Sequence, residues 1–203
     1  MERIAEASPR RRARIAGVVY LLYLLTPVVC GEFIKRLFVD GDAAATAKNI
    51  LAHQPLGLGL ATLLITVACG IAVTALFYEL FKPVNRSLSL LAAFFNLVAL
   101  AFEYFQDVNI GSVFHGLYCL MVGYLIFRST FLPRILGALM AFAGLDGLTS
   151  LSPQLAIYLS RYIEVPGFLA ELSLCLWLLV MGVNVQRWKE HASAGGRVTN
   201  HSK

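Results

Sequence analysis

Four ionisable residues lie within apolar sequence: Glu103, His115, Asp146 and Glu171. A charge inside a membrane span is costly to bury, so such residues are read first as functional. Carboxylates next to an imidazole can hold and pass a proton, or pair as ions around a ligand. Glu171 is flanked by Ala170 and Leu172, and a carboxylate's short stem reaches water poorly. The competing reading is that each group reaches the headgroups near a helix end, as long side chains do. Glu32, Glu79 and also Glu103 fit that second reading better, while Glu103 stays a candidate for a shared site.

Other chemistries lack their residues. Hydrolytic zinc sites commonly use several histidines, and only His115 falls in a span; His53 is in a loop, His191 and His201 in the tail. Cys30, Cys69, Cys119 and Cys175 share no short motif and read as small buried hydrophobes. There is no nucleophile elbow, no phosphate-binding loop and no dinucleotide fingerprint. No catalytic residue, metal or cofactor is therefore assigned.

The elements that must position these residues are membrane helices. Of 203 residues, 58% are hydrophobic and 14% charged, and the mean hydropathy is +0.71. A soluble domain carries about a quarter charged residues. The composition excludes disorder, a coiled coil and a disulfide-stapled secreted domain. Six stretches approach the ~20 apolar residues a crossing needs: 15–34, 56–81, 87–106, 110–127, 133–150 and 166–185. Pro133 and Pro166 suit a first helical position. The expected fold is all-α, a polytopic membrane protein with six transmembrane helices in one bundle. Residues 1–14 form a basic tail, 15–185 the membrane domain, and 186–203 a polar tail expected to be disordered from Ala192.

All but four of the 17 Lys and Arg fall on one side of these spans; the exceptions are Lys35, Arg36, Lys48 and Arg161. The positive-inside rule puts the larger set, and both termini, in the cytoplasm of a bacterial inner membrane. The net charge of +5 is then topology and not a nucleic-acid footprint. No A-x-A-like site follows the N-terminal arginines, so the first span is expected to stay uncleaved.

Between the first two spans, 42–51 reads as an Asp42-capped helix lying on the outer surface. Two small-residue faces suit close packing in lipid: Thr62, Thr66, Cys69 and Val73, and Gly137, Ala141 and Gly144. By helix rise, Glu103, His115, Asp146 and Glu171 then sit roughly 5–8 Å below the outer surface. They would line a shared polar cavity open to the outside.

The sequence resembles a family of bacterial integral membrane proteins grouped as domain of unknown function 4386. The resemblance rests on Arg12 to Gly17, Gly41 to Ala47, Tyr78 to Arg86, Phe114 to Leu125, Arg128 to Gly137 and Glu171 to Asn184. It implies a six-helix membrane protein and no activity. A longer stretch between the third and fourth spans, present in many members, is absent here. Three functions stay open. The favoured one binds or moves a small molecule or lipid through the outer cavity. The others are an intramembrane lipid-modifying enzyme and a non-catalytic partner subunit. The only assigned partner is the lipid bilayer.

Overall fold

Lipid offers the backbone no hydrogen-bond partner, so a chain this apolar must satisfy its own N–H and C=O groups in helices. The computed structural model describes residues 8–35, 42, 44–45, 48–50, 55–105 and 108–200, and no strand occurs among them. Among the described residues seven long helices follow one another: α1 Pro9–Lys35, α2 Pro55–Phe81, α3 Arg86–Phe105, α4 Val108–Arg128, α5 Arg134–Thr149, α6 Pro153–Val180 and α7 Val185–Asn200. Among the described residues, four stretches are long and apolar enough to cross a membrane: Pro9–Phe33, Gly57–Phe81, Asn109–Arg128 and Tyr162–Val180. The apolar stretch Arg86–Phe102 is shorter. So is α5, whose 16 residues measure about 24 Å against a hydrocarbon core of about 30 Å.

Helices α1 to α6 pack on one another in chain order, and α6 returns to α1, which closes a ring. Close contacts around the ring use glycine. A Cβ on Gly144 of α5 would lie 2.7 Å from the Gly116 carbonyl of α4. One on Gly123 would lie 2.8 Å from the Gly137 carbonyl. On α1, a Cβ at Gly17 would meet the Leu179 backbone of α6 at 2.6 Å. The face Gly137–Ala141–Gly144 is therefore a packing face. The α2 stripe is mixed, with Thr66 and Val73 buried and Thr62 and Cys69 partly exposed. Outside the ring, Leu60, Leu64, Ile71, Leu90, Phe94 and Val180 are half or more exposed. Water would make that surface expensive, whereas lipid tails do not.

The structure corrects three expectations about helix ends. Pro166 does not open a span: it lies inside α6, which starts thirteen residues earlier at Pro153, behind Ser152. Proline is tolerated at that depth because neighbouring helices can serve the freed backbone groups. Pro133 precedes α5 as its N-cap residue, with extended backbone. The tail expected to lack order from Ala192 continues as helix α7 to Asn200.

Helix α7 docks on the loops at one end of the ring. Trp188 donates its indole N–H to the Leu80 carbonyl at 3.0 Å, and Arg187 donates to the Thr130 carbonyl at 2.9 Å. The turn into it needs Gly182, whose φ of 69° is left-handed and disfavours any Cβ. At the same end Arg14 donates to the Val180 carbonyl at 3.1 Å, a cation on a helix C-terminus. Glu79 pairs there with Lys82 and, at 3.8 Å, with Arg12. Glu79 therefore sits at a charged helix end, as its position suggested. In the first connection, Ala44, Ala45, Lys48, Asn49 and Ile50 are helical, and the Ala45 N–H donates to Asp42 Oδ1 at 2.9 Å. His53 and the rest of that connection lie outside the described residues.

Candidate functional site

Three side chains from helices distant in sequence meet inside the ring. Glu171 on α6 accepts a hydrogen bond from the Tyr20 hydroxyl of α1 through Oε2, at 2.6 Å. Its other oxygen, Oε1, is 3.1 Å from His115 Nε2 of α4. The Glu171 and His115 side chains are 12% and 18% exposed. Both carboxylate oxygens are thus engaged, one by a neutral donor and one by an imidazole. This is the compensation a buried carboxylate requires.

One turn further along α4, Cys119 places its sulfur 3.5 Å from the same His115 Nε2. That nitrogen therefore faces a carboxylate and a thiol together. His115 Nδ1 and the Tyr118 hydroxyl are buried without a hydrogen-bond partner among the described residues. The two rings are 5.7 Å apart and tilted. His115, Cys119 and Glu171 each present a metal-ligand type of atom, all within 4.8 Å of one another. Counting histidines in spans, as the sequence reading did, passes over such a set.

The depth counted from Pro166 as a helix start no longer applies, because α6 begins at Pro153. Glu171 lies nine residues before the end of α6, Cys119 nine residues before the end of α4, and Tyr20 eleven residues after the start of α1. The three are therefore at a similar distance, about 13–17 Å along their helices, from the end of the ring on which α7 docks.

The other predicted residues divide. Asp146 borders the cluster: its carboxylate packs against Gly167, one turn before Glu171 on α6, where a Cβ would lie 3.0 Å from Oδ2. Glu103 lies near the end of α3, and its side chain is outside the described residues. One cavity, of about 590 Å³, is an apolar groove between α1 and α2 that includes Leu22, Leu25, Val29, Phe33 and Leu58. Two others, of about 630 Å³ each, lie by the α7 end: one includes Arg10, Thr130, Asn184 and Arg187, the other Arg12, Trp188 and Lys189. None of these three is lined by His115, Asp146 or Glu171.

Sequence reasoning missed Tyr20 and Cys119. Cys119 carried a usable signal, since His115 and Cys119 are four apart and share a helix face. Tyr20 carried none, because its partner is 151 residues away. A second interior polar pair was also missed: Asn96 Nδ2 donates to Thr74 Oγ1 at 2.6 Å between α3 and α2.

The family described as a domain of unknown function (DUF4386) matches residues 15–108 and 102–182. The chain belongs to this family. Tyr20, His115, Cys119 and Glu171 of this DUF4386 protein all fall within the matched residues. It is similar to a protein of Archaeoglobus fulgidus described as uncharacterized. The two are 23% identical over 149 residues, which cover 66% of this chain and 89% of that protein. No solved structure matches the chain.

Proposed function

We propose that this DUF4386 protein crosses the bacterial inner membrane six times, with both termini in the cytoplasm, and binds a small molecule or lipid at its interior polar cluster. The observation that carries the reading is the meeting of Tyr20, His115 and Glu171 inside the ring. A carboxylate at the centre of a span costs on the order of 2.5–3.5 kcal/mol on insertion scales. A purely structural contact between α1, α4 and α6 could be made by apolar side chains without that cost. Binding or moving a polar group through the ring gives the cluster a use.

Further features favour the six-span reading. The ring includes α3 and α5 as full members. The arginines and lysines near residues 10–14, 82–86, 128–134 and 187–189 all belong to one end of it. Helix α5 is short, and a local thinning of the bilayer or a tilt of its neighbours accommodates that at modest cost. The apolar groove between α1 and α2 is suited to an acyl chain. Asp146 extends the polar set from Glu171 toward the outer side, against Gly167.

The test is co-purification. Full-length protein extracted from its own membranes in mild detergent carries a stoichiometric small molecule or lipid, which mass spectrometry identifies. Glu171→Gln keeps the shape, removes the charge and loses the bound species. The same bound species at the same occupancy in both proteins contradicts the reading.

A further inference from the structure

We propose that His115, Cys119 and Glu171 form a binding site for one divalent transition-metal ion of the borderline-soft class to which zinc belongs. The proposal uses the same cluster as the binding reading, but it does not depend on a lipid or small molecule occupying it.

Two of the three ligand–ligand edges have the length an ion would impose; the sulfur–carboxylate edge, within 4.8 Å, has up to about 1.2 Å to close. Zinc binds sulfur at about 2.3 Å, imidazole nitrogen at about 2.0–2.1 Å and carboxylate oxygen at about 2.0–2.2 Å. At a tetrahedral angle these lengths put nitrogen and sulfur about 3.6 Å apart, and nitrogen and oxygen about 3.3 Å apart. His115 Nε2 is 3.5 Å from Cys119 Sγ and 3.1 Å from Glu171 Oε1. Two of the ligands are fixed by one helix: His115 and Cys119 are one turn apart on α4 and turn the same way. The third comes from α6 across the ring interior.

Charge favours a cation at this site. A divalent ion with a carboxylate and a thiolate sums to zero, so the loaded cluster carries no net charge into a low-dielectric interior. The Cys119 thiol proton is released to solvent when the Sγ–metal bond forms. Tyr20 then acts as the outer partner: its hydroxyl donates to Oε2 and leaves Oε1 directed at the ion. The ligand set selects the ion, because mixed N, S and O donors suit zinc and cobalt and not magnesium or calcium. Three protein ligands leave a fourth position open, which is the pattern of catalytic and not structural zinc sites.

The test uses tag-free, full-length protein in mild detergent, kept reduced, stripped with a chelator and titrated with cobalt(II). The expected result is one ion per chain, with the visible bands of tetrahedral cobalt and a near-ultraviolet sulfur-to-cobalt charge-transfer band. One equivalent of zinc bleaches both. Cys119→Ser loses the charge-transfer band, and His115→Gln binds weaker by a factor of about ten or more. Tyr20→Phe, which keeps all three ligands, retains the band and binds about tenfold weaker, as loss of an outer partner does. Cys175→Ser, outside the cluster, binds as the unaltered protein does. The proposal is overturned by an unaltered protein without the sulfur band, by a band that survives Cys119→Ser, or by undiminished binding in His115→Gln. The unaltered protein alone decides the first outcome, even where a variant fails to fold. Loss of the co-purified lipid result with the cobalt bands intact refutes the binding reading and not this one.

Discussion

At the scale of single residues, the interior sorts into polar groups that are matched and polar groups that are not. Asn96 donates to Thr74, and Thr74 donates in turn to the Gly70 carbonyl at 2.7 Å. Thr66, eight residues earlier on α2, is fully buried, and its hydroxyl has no partner among the described residues. Opposite outcomes follow for the same substitution. Thr74→Val strands the Asn96 amide and lowers stability by about 1–3 kcal/mol. Thr66→Val removes an unmatched hydroxyl with little change of shape, and stability is unchanged or rises. Unfolding of each variant in mixed micelles measures both; equal losses would contradict the assignment. The sequence shows such residues only as polar letters in apolar runs. Glu171 and His115 stood out because charge inside a span is rare. Thr74 and Asn96 did not, because their pairing is a property of two helices at once.

At the scale of elements, hydropathy located the helices and punctuation misplaced their ends. Runs of about 20 apolar residues mark α1, α2 and α4 directly. Pro166 reads as a start signal, but the residues before it, including Tyr158 and Tyr162, continue the same helix to Pro153. That single difference puts Glu171 eighteen residues into its helix and not five. The small-residue face of α5 was legible because period-3 and period-4 spacing of Gly and Ala is a local pattern. Its consequence is sharp. Gly144→Ala drives a Cβ to 2.7 Å from the Gly116 carbonyl, and backbone cannot yield as a side chain does. We expect a loss of about 1–3 kcal/mol. Gly57 and Gly59 of α2 have nothing within 4 Å of the same position. There Gly→Ala stiffens an open helix and raises stability by about 0.5–1 kcal/mol each. Melting curves of the three variants, read together, check the packing; equal effects at Gly144 and Gly59 would contradict it.

At the scale of the whole molecule, charge asymmetry and the ring support each other. The ends of α2, α4 and α6 gather, with Lys82, Arg128 and Arg14 beside them, where α7 docks through Trp188 and Arg187. Cytoplasm-dependent reporters fused after Arg187, or between Arg128 and Arg134, are expected to be active, and periplasm-dependent ones silent. Periplasmic activity at either position reverses the orientation. The ring itself could not be read from the sequence, because its closure depends on α6 meeting α1 through Gly17 and Cys175. At its centre, α1, α4 and α6 are tied by one carboxylate, and that tie is the central claim. A double-mutant cycle on Tyr20→Phe and Glu171→Leu, followed by reversible unfolding in mixed micelles, tests it most directly. Contacting residues couple by about 0.5–3 kcal/mol, whereas independent sites add within about 0.3–0.5 kcal/mol. We predict coupling in the first range, with Tyr20→Phe costing less once Glu171 is gone. Simple additivity would mean that Glu171 does not meet Tyr20, and the interior cluster would not exist as described.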